Sequence, residues 1–230
     1  MTAALPAVPP LWSGATIACI GTGPSLTAAD VADLTVAGIS TIAVNCACEF
    51  GISSVIYAAD AKWWQAHQLL LPRLSRLSPQ QQHYALQHEA APYGPTVLQQ
   101  GHATQLETRP THLARGGHSG YQAINLAFHL GGGPTGGPRD ILLLGYDMQV
   151  GSDGAHHAAG VHSDGTFIKY AYRMGAFVQL AADLAAYGVR VINLSRQSAI
   201  PASTFPRQSL DDYLACRRAD RAAPPAAARV

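Results

Sequence analysis

Five short apolar runs, separated by stretches with helical spacing, constrain this chain more than any single residue does. "ATIACIG", "STIAVNCA", "SSVIYAAD", "RDILLLGYDM" and "VRVINLS" are rich in isoleucine, valine and leucine and are too short for buried helices. Between them lie "AADVADLTVAG", "AKWWQAHQLLLPRL", "SGYQAINLAFHLGG" and "TFIKYAYRMGAFVQLAADLAAYG", and "SLDDYLACRRA" follows the last strand; all five read as helices. Gly38 and Gly188 close two of them, and Ser25 or Thr27 can cap the first. Strands that alternate with helices, and are apolar on both faces, belong to a parallel sheet covered on both sides. The expected fold is therefore α/β: one Rossmann-like domain over 15–214, with a mostly parallel sheet and helices on both faces. Residues 1–14 form an N-terminal extension in this reading. The basic, Ala/Pro-rich stretch 215–230 forms a tail that frays at its end. Between Ser78 and Arg115 glutamine, proline and histidine break the pattern, which allows a short strand or two plus loops.

At 230 residues the chain is long enough to bury one large core. Its longest apolar runs fall far short of the roughly 20 residues that cross a bilayer. "MTAALPAVPPLW" lacks a basic start and is broken by prolines, unlike a signal peptide, so a cytoplasmic location with no membrane partner is expected. A formal charge of +1 offers no electrostatic footprint for nucleic acid, although the basic tail does not exclude one. Self-association is left open. The four cysteines, Cys19, Cys46, Cys48 and Cys216, have no paired metal spacing and read as small buried residues.

In parallel α/β folds ligands bind beyond the carboxyl ends of the strands, and polar residues gather there. Strand one ends in Gly21-Thr22-Gly23-Pro24-Ser25, strand two at Asn45, strand three at Asp60 and the later strand at Asp147. Glycines let a ligand approach the backbone, the next helix presents unpaired N–H groups, and Pro24 sits where a missing N–H costs little. An anion site and a plain tight turn both satisfy this pattern. It is neither a P-loop nor the dinucleotide fingerprint, because no Gly-Lys-Ser/Thr follows and position 26 is leucine. Asn45 can bind a base or ribose, or simply form a turn. Asp60 can cap the following helix, or contact substrate or a metal. Ser119 is the natural N-cap of its helix, and with the adjacent N–H groups could bind a second polar group. It is not a hydrolase elbow, since position 121 is tyrosine.

Gly151 to Gly165 has no periodicity and is rich in glycine and histidine, which suggests a mobile lid over about 149–166. It carries His156, His157 and His162, with Asp153 and Asp164 close by. A histidine over a cleft suits a general base, because its pKa lies near neutrality. A solvated loop or a metal site also fits, although no standard zinc spacing is present.

The ordered series "IGTGPSL", "AVNCA", "GGHSGYQAINLAFHLG", "DILLLGYDM", "GVHSDG" and "GVRVINLSRQSAI" resembles the bacterial sialyltransferase group over about Ile17 to Leu214. That group includes the Campylobacter-type α-2,3/2,8 enzymes, which use CMP-sialic acid. Phage- and prophage-encoded proteins look similar, as does the hydroxymethylpterin diphosphokinase-like family with its Gly-x-Gly-Pro-Ser-Leu turn. If phage-encoded, the protein would work in the host cytoplasm. The resemblance implies a glycosyltransferase that takes a sugar from a nucleotide-activated donor, CMP-linked in the family, to a hydroxyl acceptor by one inverting displacement. No metal or other cofactor is required in that chemistry.

Gly21, Thr22, Gly23, Pro24 and Ser25 would contact the donor's phosphate and ribose, with Asn45 and Asp60 near the nucleotide and sugar. Ser119 and Gly120 would line the cytidine side, and Asp147, at its strand end, is also expected among the nucleotide- and donor-binding residues. His162 would be the base, with His156 and His157 as alternatives, and lid closure would exclude water. Two departures stand out: Thr22 replaces the usual asparagine, and no tyrosine occurs between Asp147 and Tyr170 to help the phosphate leave. A diphosphokinase-like enzyme would instead need ATP and Mg²⁺, held by Asp60 and Asp147. A non-catalytic, phage-encoded nucleotide-binding or virion-associated protein would keep the fold without the reaction.

Overall fold

The computed structural model describes residues 4–152, 154 and 170–222. Nine strands are present among them: β1 (Thr16–Ile20), β2 (Ser40–Val44), β3 (Val55–Tyr57), β4 (Gln82–Ala85), β5 (Thr96–Val97), β6 (Gln99–Gln100), β7 (His112–Leu113), β8 (Asp140–Leu144) and β9 (Arg190–Asn193). Six α-helices accompany them: α1 (Ala28–Val36), α2 (Ala61–His67), α3 (Leu71–Leu77), α4 (Ser119–Leu130), α5 (Tyr170–Ala186) and α6 (Leu210–Ala222). Seven strands form one sheet in the order β5-β4-β3-β2-β1-β8-β9, and β6 pairs with β7 apart from it. Every neighbouring pair is parallel. The chain winds outward from β1 to β5, then returns to β8 and β9 on the other side. The protein is a doubly wound, Rossmann-like α/β fold whose strand order reverses between β1 and β8.

Side-chain alternation explains both covered faces. Ile17 and Cys19 of β1 pack with Ile124 and Phe128 of α4 and with Phe177, Leu180 and Leu184 of α5. Ala18 and Ile20 point the other way, to Val31 and Leu34 of α1, Trp64 of α2 and Tyr213 and Leu214 of α6. Each fully buried leucine, isoleucine or phenylalanine contributes roughly 1.5–3 kcal/mol, so β1 is anchored from both sides. No helix among the described residues is long and apolar enough to cross a membrane.

Several elements differ from expectation. The single helix read from "AKWWQAHQLLLPRL" is two, α2 and α3, with Pro72 in the first turn of the second. Proline has no N–H to give, and its ring would collide with the carbonyl four residues back, so the first helix stops before it. β3 ends at Tyr57 and β8 at Leu144, so Asp60 and Asp147 each lie three residues beyond their strands. After β8 the chain turns at Gly145, whose φ is +66°. Residues 4–14 are tied to the body: Val8 is buried, and the Val8 and Trp12 N–H groups donate to the Pro110 and Leu130 carbonyls. α6 runs through the boundary expected at 214, as far as Ala222. His156, His157 and His162, expected in a lid, lie outside the described residues.

The irregular stretch before α4 is held by a buried polar network. Asn125 of α4 accepts from the Glu107 and Ala114 N–H groups (3.2 and 2.9 Å) and donates to the Glu107 carbonyl (2.9 Å). His129 sits one turn further on, buried, with Nε2 3.2 Å from the His112 carbonyl oxygen. Burial pushes its pKa down to about 4, and the His112 carbonyl and Glu107 only partly oppose this. Because the folded value lies below the unfolded value of about 6.5, His129 contributes stability that is complete above about pH 6.5. That contribution, about 3 kcal/mol, is lost as pH falls through 4. Melting temperature should therefore drop over this window in the wild type. The drop should be visibly shallower in His129→Gln, and equal slopes would refute the assignment.

Candidate functional site

The strand order reverses between β1 and β8, and in doubly wound sheets ligands bind beyond the carboxyl ends of the strands at such a point. The Gly21–Ser25 turn and the Gly145–Asp147 segment meet there. A Cβ on Gly21 would lie 2.6 Å from the Gly145 carbonyl oxygen and 3.3 Å from the Tyr146 ring. One on Gly23 would collide with the Asp147 carboxylate and lie 2.6 Å from the same carbonyl oxygen. The two glycines thus let the loop of β8 close against the turn, which is a packing requirement of the protein itself.

The amides of the turn are engaged in the same way. The Gly21 and Gly23 N–H groups donate to the Leu144 and Gly145 carbonyls (2.7 and 2.8 Å), and Leu26 N–H donates to the Gly23 carbonyl (3.0 Å). Asp147 accepts from the Ser25 N–H at 2.8 Å and from its hydroxyl at 2.7 Å. Asp147 is buried, which raises its carboxyl pKa against the Ser25 hydrogen bonds and the Arg207 charge. Thr22, Gly23, Pro24 and Ser25 remain partly exposed.

The expected anion seat on the first helix needs correction. Pro24 lies four residues before the first helical residue, Ala28, so it does not occupy the first turn. Thr27, not Ser25, is the N-cap, and it forms a capping box with Asp30. The Asp30 carboxylate receives the Thr27 N–H and hydroxyl, both at 2.8 Å, and is gripped by Arg196 through two bonds of 2.6 Å. A carboxylate of the protein already occupies the positive end of α1. Arg196 also donates to the Ser25 carbonyl at 2.9 Å, which ties the turn to the segment after β9.

The start of α4 packs on the same loop through Tyr146. His118, rather than Ser119, is the N-cap: its Nδ1 accepts from the Gly120 N–H at 3.0 Å, and Ser119 is the first helical residue. An imidazole nitrogen reaches the amide as well as a hydroxyl would, which residue preference alone does not reveal. The Tyr146 hydroxyl donates to the Gly120 carbonyl at 3.0 Å, and a Cβ on Gly120 would lie 2.9 Å from the Tyr146 ring. Tyr146 therefore joins Gly21 and Gly120, two positions that are 99 residues apart in the numbering.

Asp60 belongs elsewhere along the sheet edge. It stands at the N-cap of α2 without capping it. Gln87 does so instead, accepting from the Ala61 N–H and donating to Asp60, each at 3.0 Å. Asn45, directly after β2, has φ +52°, and Met148, just past β8, has φ +50°. They are the two non-glycine residues with positive φ among those described. β2 and β8 are the two neighbours of β1, so these residues flank its turn on either side.

The sequence reading passed over Tyr146, Met148, His118 and Arg196. The strand-end rule points to three of them, since "GYDM" and "LSRQS" directly follow β8 and β9. Cys46, Glu49 and His67 also come together here, with their ligand atoms within 4.8 Å of one another.

No family model matches this chain, and no curated protein matches it. Among solved structures, a short-chain dehydrogenase from Oenococcus oeni PSU-1 is similar over 89% of this chain and 88% of its own, at 11% identity and a TM-score of 0.26. A likeness at that level speaks to neither activity nor ligand, and the fold assignment rests on the sheet topology.

Proposed function

We propose that the protein transfers a sugar from a nucleotide-activated donor, CMP-linked by the sialyltransferase resemblance, to a hydroxyl acceptor. The nucleotide lies across the crevice between β1 and β8. One observation carries this reading: Asn45 and Met148, both in left-handed backbone, flank the β1 turn at the point where the strand order reverses. Such conformations cost about 1–3 kcal/mol each and concentrate where a ligand is held.

In this reading Thr22 and the Asn45 amide meet the phosphate and ribose, because the turn's amides are largely committed to the protein, and the Ser25 oxygen, whose proton goes to Asp147, accepts from a ribose hydroxyl. Asp147 is a positioning residue that fixes Ser25. His162 removes the acceptor's hydroxyl proton while the acceptor oxygen bonds the anomeric carbon. The bond from that carbon to the phosphate oxygen breaks on the opposite face, and the nucleotide leaves with the electron pair.

Incubating the full chain with a panel of nucleotide sugars in the presence of a chelator, with mass spectrometry of the products, tests the reaction. Release of the free nucleotide, by transfer or slow hydrolysis, is expected. Turnover confined to ATP with Mg²⁺ would replace this reading with a diphosphokinase-like one. The absence of any turnover, with nucleotide still bound, would make the protein a nucleotide-binding one.

A further inference from the structure

A second cluster of reactive side chains lies beyond β2 and does not depend on the nucleotide reading. Residues Asn45–Phe50 form a 3-10 turn, in which side chains three apart are eclipsed. That spacing puts Cys46 and Glu49 on one face. His67 closes α2 one helical turn after Trp63, and the two rings stack at 4.2 Å with planes 13° apart. Cys46 Sγ is 3.4 Å from His67 Nε2, which is 3.7 Å from the Glu49 carboxylate.

The Cys46–His67 separation matches a metal-binding arrangement, the His67–Glu49 one is slightly longer, and all three ligand atoms lie within 4.8 Å of one another. Around a tetrahedral zinc-class ion, bonds of 2.0–2.3 Å place ligand atoms roughly 3.3–3.6 Å from one another. Trp63 supplies the outer contacts. Its carbonyl oxygen lies 2.8 Å from His67 Nδ1 and can only accept, so the proton sits on Nδ1 and the Nε2 lone pair turns toward Cys46 and Glu49. Its indole N–H donates to Cys46 Sγ at 3.2 Å, a bond that suits a thiolate. Cys46 is buried and Glu49 is exposed, so an ion has a path from the Glu49 side.

We propose that Cys46, Glu49 and His67 bind one zinc-class divalent transition ion, leaving a fourth coordination position open. On binding, Cys46 releases its thiol proton to solvent and Sγ bonds the ion. Burial otherwise pushes that thiol up to about 11, with the Trp63 bond opposing, which disfavours a metal-free nucleophilic thiolate at this position. The ion would join the turn after β2 to the end of α2, two segments whose ligands are 21 residues apart.

Titration of the chelator-treated full chain with Co²⁺ alone tests the site. The expected result is one equivalent bound, with tetrahedral visible bands and a thiolate-to-cobalt charge-transfer band that Zn²⁺ displaces. Cys46→Ser should abolish the sulfur band and Cys48→Ala should keep it. Glu49→Gln, an exposed change, should weaken affinity at least tenfold without altering the metal-free melt. Binding without a sulfur band, as histidines elsewhere would give, overturns the proposal. So does a band that persists in Cys46→Ser. Should Cys46→Ser not fold, unchanged affinity and spectrum in both Glu49→Gln and His67→Gln would overturn it instead.

Discussion

His162→Ala is expected to lower turnover of the nucleotide-activated donor by two to four orders of magnitude, with nucleotide affinity unchanged. A positioned general base contributes about 10²–10⁴-fold, and in the proposed reaction alanine at 162 removes that base. The prediction concerns the split between steps. The rate constant for transfer falls, while the equilibrium titration of product nucleotide stays within twofold of wild type. His156→Ala and His157→Ala should retain most activity if His162 is the base. A variant at 162 that turns over normally would refute that role and leave the nucleotide site standing. Single-turnover measurements on the three variants decide among them.

Asn125→Leu is expected to cost about 3–5 kcal/mol in urea unfolding, because each buried N–H left without an acceptor costs about 1–3 kcal/mol. Two are orphaned at once, those of Glu107 and Ala114, and the Glu107 carbonyl loses its donor. Leucine is of similar size, so the penalty comes from lost hydrogen bonds rather than from a cavity. Asn125→Asp keeps an acceptor for both amides and should separate the two contributions. The effect should reach the crevice too. The stretch that Asn125 pins leads into Arg115, whose carbonyl accepts from Gln122, and then into His118 and Gly120 at the start of α4. A loss below about 1 kcal/mol would mean that the network is solvated rather than structural.

Much of the frame can be read directly from the chain, for a local reason. β1, β2, β8 and β9 are runs of apolar residues buried on both faces, and that signal needs no partner to be seen. The polar residues at strand ends follow from the same reading, as do the glycines at 21 and 23. What those glycines do is not local. Their missing Cβ atoms make room for Gly145 and Asp147, over 120 residues away, and periodicity carries no trace of that contact. The same holds for His118 as a cap, for Gln87 standing in for Asp60, and for the Asn125 network. The division of one expected helix at Pro72 is a different kind of miss, because the breaker is visible in "LLLPRL". Cys46, Glu49 and His67 illustrate the limit most clearly. A 3-10 turn aligns the first two, and only the burial of Trp63 and Trp64 of α2 in the core beside Ala43, Ile56 and Ala58 brings the third.

The positive end of α1 also alters how the crevice would hold a ligand. With Asp30 seated there and Arg196 bound to it, a phosphate at the helix terminus would meet a carboxylate. In the proposed reading, recognition depends on Thr22 and the Asn45 amide instead. In that reading Thr22, partly exposed at the centre of the turn, is the position where a larger side chain should block the ligand.

Calorimetric titration of the wild type and Thr22→Trp with CMP, UDP and ATP tests the central claim most directly. The account predicts that at least one nucleotide binds the wild type at one per chain. In Thr22→Trp, with the fold intact by circular dichroism, that affinity should fall at least tenfold, whereas Leu69→Ala, an exposed change away from the turn, should bind as wild type. Failure of all three nucleotides to bind, or equal affinity in Thr22→Trp, would contradict it.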